Sequence, residues 1–128
     1  MLGIWIMMLI FNLLIPLTMI GFGNYFYKQA PKEINDFFGY RTARSMKNRE
    51  TWVFAHRYCG RLWRVLGWVL LGASLILMIL VYGQSIEMIS KVGGIITAAH
   101  TVVLILSIFP TEFALKKTFD ERGRRREA

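Results

Sequence analysis

The chain has 128 residues, 55% of them hydrophobic, and carries 16 Lys and Arg against 8 Asp and Glu, a formal net charge of +8 at pH 7. An apolar share this high, gathered into three long runs rather than short periodic stretches, excludes an ordinary soluble globular enzyme of one-domain length. The surplus cations fall between and after the apolar runs, so they read as membrane topology and not as a nucleic-acid footprint; no direct nucleic-acid partner is expected.

The first run, residues 2–26, holds no charged side chain and is broken only by Asn12, Pro16, Thr18, Asn24 and glycines. It exceeds the roughly 20 residues needed to cross a hydrocarbon core. A cleaved signal peptide is the competing reading, but a basic segment before the run is missing and the run is longer than such a peptide's apolar region. An uncleaved span is expected.

Residues 27–61 form a basic loop. Gly39 permits backbone geometry that a side chain would forbid. Asn48 is a suitable N-cap, with Glu50 in the first turn to favour the helix dipole. From there Trp52, Ala55, His56, Cys59 and Trp63 recur at helical spacing, and Arg57, Arg61 and Arg64 make a basic stripe. This predicts a helix that lies at the cytoplasmic interface or runs straight into the second span. The stripe is expected to reach lipid phosphates, so membrane lipids are expected partners.

The second span covers 62–82 and the third 89–109, separated by Gly83-Gln84-Ser85-Ile86-Glu87-Met88. So short a connection makes them an antiparallel hairpin. The tail, 110–128, begins with Pro110, expected to end the third span, and Thr111, expected to cap a short helix from Glu112 to Asp120. The whole chain reads as one all-α integral membrane domain of three transmembrane helices.

Nine cations lie from Tyr27 to Arg64 and six after Phe109, whereas the hairpin side offers only Lys91. Positive charge is retained on the cytoplasmic side. The expected topology is N-terminus outside, loop and C-terminus cytoplasmic, in the plasma membrane. Interfacial aromatics agree: Tyr25, Phe26, Tyr27 and Trp63 at the inner boundary, Trp5 and Tyr82 at the outer.

Polar residues at bilayer depth carry a functional hypothesis by default. Asn12 sits near the middle of the first span and His100 near the middle of the third. Pro16 deprives the carbonyl of Asn12 of its helical donor, and an Asn12–His100 contact would satisfy several such groups. A neutral interhelical hydrogen bond is the favoured role for His100, with proton relay or ligand binding as the alternative. Gly60, Gly67 and Ser74, spaced by seven, form a packing seam. Its partner could be the first span or, in a homo-oligomer, a second copy. Metal binding is not expected: His56 and Cys59 are two ligands where structural zinc wants four. No nucleophile–base set, phosphate loop or paired intramembrane carboxylate is present, so neither enzymatic activity nor a cofactor is expected.

The loop reads Phe38-Gly39-Tyr40-Arg41-Thr42, then Ser45, Trp52, Ala55, Arg57 and Gly60, and the tail reads Pro110-Thr111-Glu112 followed by Leu115 and Phe119. This ordered set resembles the SdpI family of bacterial membrane proteins, over about Leu13 to Phe119. The resemblance implies that Gly39, Tyr40, Arg41, Thr42, Trp52, His56 and Arg57, with Pro110, Thr111 and Glu112, are the motif positions, all at the cytoplasmic face. His56 stands where the family has Asn more often. The family implies immunity to a secreted membrane-active peptide toxin, with a signalling role in which a cytoplasmic repressor is held at the membrane. The family's best-known member has further N-terminal spans. An Arg41–Glu112 ion pair is expected to tie the loop to the end of the third span. The alternatives are a small transporter subunit with Asn12 and His100 lining a path, or a membrane enzyme acting on lipid or peptide at the cytoplasmic interface.

Overall fold

The computed structural model describes residues 2–126; their regular structure is helical, with one isolated bridge between Phe119 and Arg125. Four helices run in order: α1 (Leu2–Lys28), α2 (Arg49–Leu80), α3 (Ile86–Leu106) and α4 (Ile108–Thr118). Three of these stretches, α1, α2 and α3 continued by α4, are long and apolar enough to cross a membrane.

The 32-residue α2 is one unbroken helix. At 1.5 Å per residue it is about 48 Å long, against a hydrocarbon core of about 30 Å. Its charges, Arg49, Glu50, Arg57, Arg61 and Arg64, all lie in its N-terminal half, so the helix divides into a basic end and an uncharged end. The helix expected before the second span is therefore the same helix as the span. The cause is local. Asn48 accepts from the Thr51 N–H at 2.9 Å and gives its own N–H to Thr51 Oγ1 at 3.0 Å, a reciprocal cap that starts α2 at Arg49. No Pro or positive-φ residue interrupts it thereafter.

α1 and α2 pack antiparallel, and small residues set the distance between them. A Cβ at Gly23 would lie 2.7 Å from the Arg64 nitrogen and 2.8 Å from the Gly60 carbonyl; one at Gly60 would lie 2.5 Å from the Tyr27 nitrogen. One at Gly67 would meet the Ile20 side chain at 2.7 Å. The seam predicted at Gly60 and Gly67 thus belongs to the first span of the same chain, through backbone-to-backbone contact of the kind that membrane helices use. Ser74, the third member, faces α3 instead.

The expectation that Pro110 ends the third span needs correction. α3 stops at Leu106, a single residue intervenes, and Pro110 lies inside the first turn of α4. A proline ring acts on the carbonyl four residues earlier, here Leu106, so the break falls there while Pro110 itself is tolerated near a helix start. Ser107 occupies the break and donates to the Leu104 carbonyl at 2.6 Å. Thr111 is not a cap: it is buried and donates to the Ser107 carbonyl at 3.3 Å. The tail helix accordingly runs Ile108–Thr118 rather than from Glu112 to Asp120.

At the other end, Ser85 caps α3 by accepting from Met88 N–H at 3.2 Å. The Trp5 indole donates to the Met78 carbonyl at 2.7 Å, occupying one of the carbonyls left free as α2 ends. After α4 the chain hooks back so that Asn48 Nδ2 donates to the Gly123 carbonyl at 2.7 Å and Arg125 reaches Glu50 at 2.7 Å. Both basic segments therefore share one end of the bundle.

Candidate functional site

The motif residues converge where the loop folds over the basic end of α2. Two carbonyls anchor the start of the loop. Trp52 Nε1 donates to Pro31 O at 2.9 Å, and Arg49 donates to Pro31 O at 2.8 Å and Lys32 O at 2.6 Å. Trp52 is completely buried. Asn35 then accepts from the backbone N–H groups of Phe37 and Phe38, turning the chain back toward α2.

Gly39 comes next with φ +109, and a Cβ there would run into His56 Nε2 and meet Pro31 Cγ at 3.1 Å. Only glycine combines that dihedral with so close an approach. The approach lets the Tyr40 N–H donate to His56 Nε2 at 2.8 Å, while His56 Nδ1 bonds the Trp52 carbonyl at 2.8 Å. These partners fix the tautomer: Nδ1 carries the proton and Nε2 accepts. With both nitrogens committed and the ring fully buried, His56 has no lone pair to offer a metal or a substrate. Burial, and secondarily the charge of Arg49, hold it below its ordinary value of 6.5, against the opposing Trp52 carbonyl bond.

Beyond Gly39, side chains alternate as in an extended chain. Tyr40 and Thr42 point one way, and both hydroxyls donate to Glu112 Oε2, at 2.7 and 2.8 Å. Arg41 points the other way and donates to the Asp36 carbonyl. The expected Arg41–Glu112 pair does not form; the two hydroxyls on either side of Arg41 take its place. Burial, and next the Glu112 carboxylate, push the Tyr40 phenol well above its usual range, so it remains a donor at any working pH. Ser45 closes the turn. Its Oγ accepts from Thr42 N–H at 2.8 Å and can donate to the carbonyls of Tyr40 and Thr42 at 3.1 and 2.9 Å. Thr51 Oγ1 donates to Ser45 O at 3.0 Å.

The structure thus gathers Gly39, Tyr40, Thr42, Trp52, His56 and Glu112 into one hydrogen-bonded unit, with buried Thr111 one residue from Glu112. It leaves Arg41 outside that unit. Pro110 is exposed, and Arg57 lies on a different face of α2. Thr51, which with Ser45 holds the turn, is a buried contributor that does not stand out as a site residue along the chain; the Asn48-x-x-Thr51 spacing is the available signal for it.

Next to this unit a groove of about 470 Å³ separates α1 from the α3–α4 junction. Phe22 and Phe26 form one wall, Leu104, Ile105 and Ile108 the other, Cys59 and Trp63 the back, and Phe38 to Thr42 the basic end. Further along, polar contacts tie the helices together. Thr97 Oγ1 donates to Asn12 Oδ1 at 2.8 Å and Asn12 Nδ2 to Met78 Sδ at 3.3 Å, while Ser74 Oγ and His100 Nε2 are 2.8 Å apart. The expected Asn12–His100 contact is replaced: Asn12 bonds Thr97 and Met78, and His100 bonds Ser74. His100 Nδ1 has no hydrogen-bond partner among the described residues.

No solved structure matches the chain. A stretch of 47 residues, 37% of this chain, is 45% identical to "Uncharacterized protein YfhL" of Bacillus subtilis (strain 168) and covers 43% of it, under half of that relative's length. The pattern of the SdpI/YfhL protein family matches residues 32–111, taking in the loop, α2, α3 and the start of α4. The sequence resemblance, the motif's convergence on one unit and this match agree: the chain belongs to the SdpI/YfhL protein family.

Proposed function

We propose that this protein is a multi-pass membrane immunity protein of the SdpI type that protects a bacterial cell from a secreted, membrane-active peptide. In this reading the basic end of the bundle is cytoplasmic, the N-terminus lies outside, and the peptide is met within the membrane. The observation that carries it is the apolar groove whose basic end is built by the family-motif segment Phe38–Thr42. Phe22, Phe38, Ile105 and Ile108 line that groove while remaining substantially exposed, so an apolar peptide helix entering from the lipid would meet side chains already desolvated by the membrane. The activity is binding rather than turnover. His56 and Glu112, the side chains best suited to acid–base work, are committed to bonds that hold the loop.

The test is survival. A sensitive host expressing the full chain is challenged with the peptide, beside hosts expressing Ile105→Asp or Phe22→Asp. Protection by the parent chain and its loss in the groove variants, at equal membrane abundance, is the expected result. An unchanged killing curve with the parent chain present in the membrane overturns the proposal for the peptide used.

A further inference from the structure

A second groove, of about 730 Å³, lies on the opposite side of the basic end of α2. Arg49, Arg57, Arg61 and Arg125 line it together with Glu50, Tyr27, Val53, Phe54 and Tyr58. Its charges are not balanced internally. The lining acid, Glu50, is taken by Arg125 at 2.7 Å, and Arg49 is spent on the carbonyls of Pro31 and Lys32. Arg57 and Arg61 have no hydrogen-bond or ion-pair partner among the described residues, although they sit one turn apart on the same helix face. Like charges at that spacing repel, and the acid that lines the groove, Glu50, is already paired with Arg125.

The chemistry of the missing partner is set by the rest of this helix face. One turn beyond Arg61 the stripe continues as Val65, Trp68 and Val69, exposed by 55%, 59% and 62%. Arg64, the third cation of the stripe, lies over the Tyr27 ring at 4.5 Å. Within one helical turn the face passes from two unpaired guanidinium groups to bare apolar surface. Its complement is an amphiphile with an anionic head and an apolar tail. Guanidinium groups bind phosphate oxygens in pairs, and tyrosines at a membrane boundary suit the ester and glycerol region.

We propose that this groove is a specific site for one anionic phospholipid, its phosphate held between Arg57 and Arg61 and an acyl chain lying along Val65, Trp68 and Val69. The site is independent of the peptide groove, and lipid occupancy is measured without any peptide.

The full chain is reconstituted in nanodiscs of equal parts phosphatidylglycerol and phosphatidylcholine, and retained lipid is read by native mass spectrometry. One phosphatidylglycerol per chain is expected, in preference to phosphatidylcholine. Arg57→Gln/Arg61→Gln should weaken its retention by about thirtyfold, as expected for two cationic contacts near the membrane surface. Lys116→Gln/Lys117→Gln, which removes as much charge from exposed positions elsewhere, should leave retention unchanged. An unaltered melting temperature in both variants shows that folding is intact. Equal retention of the two lipids, or equal loss in both double variants, overturns the proposal. So does displacement of phosphatidylglycerol by excess inorganic phosphate, which would show that the groove takes the anion and not the lipid.

Discussion

The Tyr40 hydroxyl donates to the Glu112 carboxylate at 2.7 Å, joining residues 72 positions apart and fastening the loop to the start of α4. Thr42, two residues on, donates to the same oxygen at 2.8 Å. Hydrogen bonds to a charged acceptor contribute about 1.5–3 kcal/mol each. Tyr40→Phe should therefore destabilise the protein by about 2 kcal/mol, and Glu112→Ala, which strands both hydroxyls, by more. Arg41→Ala removes an exposed side chain and should cost under about 0.5 kcal/mol. Thermal unfolding in detergent micelles checks all three. A larger loss in Arg41→Ala than in Tyr40→Phe would contradict the observed pairing.

Gly39→Ala should be among the most disruptive single-methyl changes. It imposes a strained dihedral, costing about 1–2 kcal/mol for a residue with a Cβ, and drives that Cβ into His56 Nε2. The Tyr40 N–H then loses its acceptor. Gly94→Ala is the control: a Cβ there meets nothing within 4 Å. Protection from the peptide should fall in the first variant and persist in the second, with melting temperatures measured alongside.

His56 gives the loop a pH dependence. Its neutral form is favoured in the fold, since a proton on Nε2 would face the Tyr40 N–H and burial opposes the charge. The unfolded chain therefore binds the proton more readily. The stabilisation is complete above the ordinary value of 6.5 and is lost as pH falls from there toward the lower value of the folded state. His56→Asn should flatten the stability curve below pH 6.5, as the difference between the two unfolding profiles would reveal. Parallel profiles would mean that His56 does not titrate on unfolding.

The contact between α1 and α2 tolerates no side chain at Gly60, where a Cβ would lie 2.5 Å from the Tyr27 nitrogen. Gly60→Val should force the helices apart and cost about 1–3 kcal/mol or more by overpacking. Gly72→Ala, on the same helix with open space at its Cβ, should be neutral or slightly stabilising, since alanine favours helix. Melting temperatures of the two variants distinguish a specific seam from a general need for small residues.

Much of the fold is legible along the chain, and the departures share a cause. Continuous apolar runs announce spans because a membrane requires length and apolarity and little else. The Asn48 cap and the start of α2 depend on residues three apart. The Gly60–Gly67 seam is visible as spacing, but its partner is not, because a small-residue row fits a neighbouring span as well as a second copy. The break near Pro110 falls one helical turn earlier than the proline suggests, because the ring acts on the Leu106 carbonyl and not at its own position. Asn12 and His100 suggest each other as the two most polar residues at depth; the rotation of each helix gives Asn12 to Thr97 and His100 to Ser74.

The sequence by itself determined three membrane-competent helices, a cationic loop and tail, and the motif that marks the family. Tertiary structure alone decided what the motif does. Arg41 and Glu112 look like partners because opposite charges attract at any separation. Hydrogen bonds, however, require direction. The alternation of Tyr40, Arg41 and Thr42, and the rotation of α4 that presents Glu112, turn two neutral hydroxyls toward the carboxylate and the guanidinium away from it.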